Sequence, residues 1–386
     1  MTSISDFEIE NGVLKKYLAN GTEVYIPEGV REIGKNAFCG KTKMQKVHFP
    51  ESLEKIRESA FSPCPAITEL TFPSRLQAIG EEAFSGCYNL KDLTFPESLK
   101  EIGKRAFYAC ASITSVSLSA HVTIGNEAFR GCTGLVRSKC IAVRGILFDC
   151  YSSEETVEIP EGVTEIGMNA FEKCKHMTEV RFPESVKKIR TGAFATCEAL
   201  KTVHLNEGLE EIEADAFYKC RVLSHVQFPT TLTNIGERAF LACPQLKGIS
   251  VPSPICKLGA YAFGGCTGLQ DENGFVILNH ILFGYFGTEA NVAVPADVTV
   301  ISRDAFSWNT NLLCVQLPEG LTEIGESAFL HCAKLTRINI PETVKQIGSC
   351  AFLGCAGLKS LHIPKSVTQI GSGAFCGCEE PIFEAT

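Results

Sequence analysis

The sequence predicts an α/β repeat solenoid: a right-handed superhelix of about 17 coils, mostly of 23 residues, with a parallel β-sheet along one face. Three observations predict it. The dipeptide Ala-Phe recurs fourteen times, with its Phe at 38, 61, 84, 107, 129, 171, 194, 217, 240, 263, 306, 329, 352 and 375. A Cys stands three residues after twelve of those Phe. The two long gaps, from Phe129 to Phe171 and from Phe263 to Phe306, hold segments that resemble the start of the chain and keep its register.

One coil reads from Ile79 to Ile102 as Ile-Gly-x-x-Ala-Phe-x-x-Cys-x-x-Leu-x-x-Leu-x-Phe-Pro-x-x-Leu-x-x-Ile. Gly80 suits a tight turn after Ile79, and Ala83-Phe84 is expected to start a short helical or 3-10 corner. Leu93 and Phe95 alternate with Asp92 and Thr94, as a strand with the apolar pair inward should. Pro96 has no N–H and ends the ladder. A unit of this size cannot bury its own apolar side. Stacked units share one core, and their strands pair in parallel about 4.8 Å apart.

The gaps are read from their Pro markers. Segments starting at Asn11, Gly145 and Ile281 lead to Pro27, Pro160 and Pro295, and each such Pro precedes the next, at 50, 183 and 318, by 23 residues. A shortened, hairpin-like coil therefore replaces an Ala-Phe unit at each place. The domain expectation is a single solenoid over 1–386, in sub-blocks 1–135, 136–269 and 270–386, with residues 1–32 as an N-terminal capping coil. The third block stops one unit short, and Pro381–Thr386 carries no obvious polar cap. Either the last coil frays or the natural chain runs on.

Composition is consistent with a large folded chain: hydrophobic residues make up 45% and charged residues 21%. The 36 basic and 44 acidic residues leave a net charge of -8, which argues against nucleic-acid or anionic-membrane partners. No stretch approaches the roughly 18 apolar residues of a membrane span. Met1-Thr2-Ser3-Ile4-Ser5-Asp6-Phe7-Glu8 has neither the basic nor the apolar region of a secretory leader. That is consistent with a cytosolic chain, with a leader already removed, or with another export route.

The twelve regular cysteines are Cys64, Cys87, Cys110, Cys132, Cys174, Cys197, Cys220, Cys243, Cys266, Cys332, Cys355 and Cys378; Lys41 and Asn309 take the place in two coils. They are expected to form a structural ladder of buried thiols acting as small hydrophobes. A disulfide framework is the rival, against which stand the odd total of 19 Cys and the long chain. Zinc has less support, since no C-x-x-C pair occurs. Among the seven irregular cysteines, Cys314 takes an outward strand place and is the expected accessible thiol.

No phosphate-binding, metalloprotease, nucleophile-elbow or EF-hand signature is found, so the expectation is a non-enzyme without cofactor, metal or catalytic residue. His204 and His225 lie in adjacent units, where a fortuitous metal contact is conceivable, and Asn20-Gly-Thr22 is a glycosylation sequon.

The candidate binding face follows from geometry, because the residues 8 and 10 after each repeat Phe point outward. Those singled out are Lys46, His48, Glu69, Thr71, Asp92, Thr94, Glu179, Arg181, Thr202, His204, His225, Gln227, Gln316, Arg337, Asn339 and His362. The row is polar and poor in large aromatics, which suits a wet contact of modest affinity with protein or glycan. The competing reading is that this face is merely solvated and a partner uses the hairpins, where Tyr17, Tyr151 and Tyr285 stand.

The run from Ile324 to Pro341, Ile-Gly-x-x-Ala-Phe-x-x-Cys-x-x-Leu-x-x-Ile-x-Ile-Pro, closely resembles BspA-type (Treponema-like) leucine-rich repeats. The likeness covers about residues 11–378, and fourteen copies make it specific. Members of that family occur in host-associated anaerobic bacteria and some parasitic protists, and several attach to host matrix proteins or other cells. The resemblance thus implies a leucine-rich-repeat fold and a non-catalytic adhesion or host-interaction module at the cell surface; separately, a monomer is expected. It supplies no catalytic residue. The thiol-rich composition and the leaderless N-terminus favour instead an intracellular protein-interaction scaffold of an anaerobic microbe.

Overall fold

The computed structural model describes residues 3–136, 140–150, 154–252, 257–359, 361–378 and 382–383. It is a parallel β-solenoid of about 15 turns at a spacing near 23 residues, and helices are nearly absent. The sequence count of 17 treats each hairpin as a full coil. Two compact units are distinguished, one of residues 1–153 with 159–171 and one of residues 154–158 with 172–386.

In the first unit, Phe7–Glu10 and Val13–Tyr17 form an antiparallel hairpin. Its turn residues, Asn11 at φ 52° and Gly12 at φ 79°, are both left-handed, as a two-residue hairpin loop requires. The second strand then pairs in parallel with Glu32–Ile33, and the ladder continues through Lys55–Ile56, Ala78–Ile79, Glu101–Ile102 and Thr123–Ile124. The hairpins Cys140–Val143 with Ile146–Cys150, and Phe275–Leu278 with Ile281–Tyr285, repeat the arrangement. Ile281↔Val300 and Leu282↔Ile301 match Val13↔Glu32 and Leu14↔Ile33 in register.

The longest sheets therefore run through the residues just before the repeat Gly, a two-residue strand place that the sequence reading did not assign. The strands that it did assign are present in shorter ladders. Glu23–Tyr25 pairs Lys46–His48, and Leu93–Thr94 pairs Val116–Ser117. In the second unit Thr156–Glu158, Glu179–Arg181, Thr202–His204 and His225–Gln227 pair residue for residue.

The Ala-Phe corner is not helical. It is a run of turns, with Ala83 N–H donating to Gly80 O at 3.3 Å and Cys87 N–H to Phe84 O at 3.2 Å. The residue two before the repeat Phe has positive φ in all fourteen coils, for example Glu82 at 53° and Asp215 at 55°. The residue two after it does so in thirteen; the exception is Pro63, preceded by a cis peptide bond. Two left-handed residues four apart cannot belong to one right-handed helix. Their N–H groups point to the next coil instead. Glu82, Phe84 and Gly86 donate to Lys104 O, Ala106 O and Tyr108 O at 2.9, 2.8 and 2.8 Å, which makes a further ladder along the corner. Gly80 opens the turn as expected and has a further constraint. A Cβ there would lie 2.8 Å from Arg57 C and Glu58 N of the preceding coil, so the position answers to close backbone approach as well as to the turn that its carbonyl opens.

The core is a stack of phenylalanine rings. Phe38, Phe61, Phe84, Phe107 and Phe129 lie parallel, with successive centroids 4.7, 5.0, 5.3 and 5.5 Å apart. In the second unit Phe194, Phe217, Phe240 and Phe263 follow at 5.1, 4.9 and 5.3 Å, and Phe306, Phe329, Phe352 and Phe375 at 4.8, 5.1 and 5.7 Å. The hairpins close these stacks. Phe148 meets Phe129 edge-on at 5.8 Å and Phe283 meets Phe263 at 5.6 Å, while Tyr17 and Tyr285 begin new stacks against Phe38 and Phe306. Tyr17 and Tyr285 are accordingly buried, at 2% and 6% exposure, rather than standing out as surface aromatics. Tyr151 lies outside the described residues.

Candidate interaction surface

None of the sixteen outward residues singled out from the sequence is buried. Glu69, Thr71, Asp92, Thr94, Arg181, His204, His225, Gln227, Gln316, Arg337, Asn339 and His362 are exposed, and Lys46, His48, Glu179 and Thr202 are half-buried. Strand pairing brings them into rows, and the charges in those rows pair with one another. Lys46 Nζ sits 2.7 Å from Glu69 Oε1, and the Tyr25 ring stacks on His48 at 4.1 Å. His48 Nε2 lies 2.9 Å from Glu23 Oε1, and this bond, with that of Tyr25, holds the Glu23 carboxyl below its ordinary pKa.

In the second unit Glu179 lies 2.7 Å from the Arg181 guanidinium and 3.0 Å from His204 Nε2. His225 Nδ1 is 2.8 Å from Ser224 Oγ rather than paired with His204. Asn339 bridges two coils: its Oδ1 accepts from Leu317 N–H at 2.8 Å and its Nδ2 donates to Leu317 O at 3.1 Å. Among the described residues no group of three or more His, Cys, Asp or Glu is placed to hold a metal ion, and no helix is long and apolar enough to cross a membrane.

Of the regular cysteines, Cys174 and Cys378 are half-buried and the other ten are buried. Their thiols have a directional role that packing alone does not give. Cys64, Cys110, Cys220 and Cys355 donate to the carbonyl oxygens of Phe38, Phe84, Phe194 and Phe329, each in the preceding coil, at 3.0–3.2 Å. Burial pushes the Cys64, Cys87, Cys132, Cys266 and Cys332 thiols up to about 12. Cys314 is half-buried, and among the described residues the exposed thiols are those of Cys39 and Cys376, each directly after a repeat Phe rather than three residues on. Cys140 and Cys150 face each other across a hairpin with Sγ atoms 2.6 Å apart. Cys256 lies outside the described residues.

A second surface lies at the third hairpin, on residues that the sequence reading did not single out. Trp308, the one Trp of the chain, is 65% exposed, and Phe286 is 40% exposed. Both border a cavity of about 460 Å³ that Tyr261, Arg303, Asp304, Asn309 and Asn311 also line. The available signal was the solitary Trp two residues after a repeat Phe, where other coils carry Gly, Ala, Lys, Thr, His or Pro.

A family model described as a BspA type leucine rich repeat region matches residues 8–136, 145–270 and 278–382, in six copies. Among solved structures, a leucine-rich repeat protein from Bacteroides ovatus is 27% identical with a TM-score of 0.42, over 98% of this chain and 90% of that one. A leucine rich cell surface protein from Faecalibacterium prausnitzii is 23% identical with a TM-score of 0.34, over 100% and 93%. The pneumococcal vaccine antigen PcpA is 19% identical with a TM-score of 0.38, over 95% and 80%. No curated protein sequence matches the chain.

Proposed function

The chain belongs to the BspA-type leucine-rich repeat family, and from that premise we propose that it is a non-catalytic binding scaffold that engages a protein or glycan on a host or cell surface. The observation that carries this reading is the residue-for-residue pairing of Thr156–Glu158, Glu179–Arg181, Thr202–His204 and His225–Gln227. It turns single side chains into a lattice with a fixed repeat of about 4.8 Å. A preorganised polar lattice loses little side-chain entropy on binding and suits wet, moderate-affinity recognition. Glu158, Arg181, His204, His225 and Gln227 are its exposed members in the second unit.

The test is binding of the full chain to immobilised matrix proteins and a glycan panel, beside an Arg181→Glu/His204→Ala/Gln227→Ala variant. Binding by the parent that weakens about tenfold in the variant is expected. Binding that the variant leaves intact would remove this face from the reading. A second reading, a protein-interaction scaffold inside the cell, is supported by the ladder of ten buried thiols. Protease shaving of intact source cells separates the two, since loss of the chain while a cytosolic control survives supports the surface reading.

A further inference from the structure

The strand face has no exposed aromatic anchor in the second unit, whereas the cavity beside Trp308 has two. We propose that this cavity is a second binding site, one that takes a neutral pyranose unit of an oligosaccharide and stacks it on Trp308. The proposal rests on the binding-scaffold reading and adds a ligand class and a separate site to it.

The first argument is the cost of the arrangement. An aromatic of this size can bury about 150–250 Å² of surface, yet Trp308 is held two-thirds in water. The solenoid does not need it there, because the same corner place is filled by Gly86, Ala109, Lys219 and Gly354 in other coils. Its position is also fixed. Trp308 is left-handed at φ 60°, its N–H donates to Leu330 O at 2.7 Å, and its ring rests on the His331 ring at 4.3 Å. A rigid exposed aromatic is a prepaid binding element.

The second argument is the chemistry around it. Pyranose rings offer an apolar C–H face and a rim of hydroxyls. The cavity offers the faces of Trp308 and Phe286, with the amides of Asn309 and Asn311 beside them. Its charged groups are engaged internally: Arg303 lies 2.8 Å from Glu326 and over the Tyr261 ring at 5.0 Å, and the Tyr261 hydroxyl donates to Asp304. Arg303 and Glu326 cancel, and the Asp304 carboxylate, held by the neutral Tyr261 hydroxyl, leaves a net negative charge that disfavours an anion, so a neutral sugar is the ligand assigned. The volume of about 460 Å³ falls within the usual range for small-ligand sites. A neighbouring cavity of about 650 Å³ shares Tyr285, Phe286 and Gly287 as a wall, which offers room for a further sugar.

Because Trp308 is the one Trp, the protein's own fluorescence reports on this site. The experiment titrates the full chain with neutral oligosaccharides ending in glucose, galactose, mannose or N-acetylglucosamine, and with a proline-rich peptide. A saturable change in Trp emission with at least one sugar is expected. It should weaken about tenfold in Asn309→Ala/Asn311→Ala, which keeps the fluorophore. Phe286→Ala, at a 40% exposed ring outside the repeat stack, is the second variant, and equal denaturant midpoints certify both folds. Emission unmoved by every sugar, a response that both variants leave intact, or saturation by the peptide alone would overturn the proposal. Arg181→Glu/His204→Ala/Gln227→Ala should leave the sugar titration untouched. If matrix binding persists while Trp308 stays silent, the sugar site falls and the scaffold reading stands.

Discussion

The thiol of Cys220 donates to the carbonyl oxygen of Phe194, one coil earlier, at 3.1 Å. The same bond recurs at Cys64, Cys87, Cys110, Cys132, Cys243, Cys266, Cys332 and Cys355, so the ladder ties consecutive coils together as well as filling space. Cys220→Ala removes both the bond and the sulfur's volume, and is expected to cost about 1–2 kcal/mol. Denaturant unfolding measures it, and an unchanged midpoint would reduce the thiol to filler.

Phe217 is fully buried between Phe194 and Phe240, with centroids at 5.1 and 4.9 Å. Truncation to Ala opens a cavity in the middle of a stack that neighbouring rings cannot collapse into without breaking their own contacts. A loss of about 3–5 kcal/mol is expected from the shift in denaturant midpoint.

Glu127 is the buried carboxylate of the first unit, 2% exposed at the end of a phenylalanine stack. Burial raises its pKa, but bonds from Arg105, Asn169 and Arg130 outweigh that and hold it below the ordinary value. A depressed carboxylate contributes stability that is present above the unfolded pKa and is lost as pH falls through the folded one. Glu127→Gln is therefore expected to destabilise the protein near neutrality. The gap from the parent should narrow as pH drops below about 4.5. Unfolding midpoints at a series of pH values check the sign.

Thiol reactivity should sort by place in the coil. With iodoacetamide near pH 8, Cys39 and Cys376 are expected to label first, while Cys64, Cys87 and Cys266, pushed up to about 12 by burial, stay protected. Cys140 and Cys150 should respond differently. A low-molecular-weight disulfide exchanges with one thiol, the other displaces the mixed disulfide, and two reduced small thiols leave. Peptide mapping by mass spectrometry reads both outcomes.

The register of the solenoid and the outward strand places were legible because Phe, Cys and Pro mark them every 23 residues. The hairpins showed through the same Pro spacing. What stayed hidden lacks a compositional mark. Strands such as Glu101–Ile102 are two residues long and cannot display alternation. Some left-handed corner places carry the usual Gly or Asn, such as Gly86 and Asn169, but others hold Glu82, Arg105 or Lys219, which give no hint of positive φ, because inter-coil hydrogen bonds impose the conformation. The hairpin tyrosines looked like surface aromatics since nothing in the sequence says that Tyr17 takes a phenylalanine's place in a stack. Trp308 was visible as a letter, but its cavity depends on Phe286 and Asn311 arriving from different turns of chain.

The hairpins carry the groups that close the phenylalanine stacks, Phe148 and Phe283 on one side and Tyr17 and Tyr285 on the other. Coils between them bring no end groups of their own. Inserting or deleting a whole coil in such a run leaves both terminators untouched and changes only how many identical steps separate them. The length of each run is thus an adjustable quantity, open to duplication or loss of single coils without redesign of the ends, while the hairpins themselves tolerate little change.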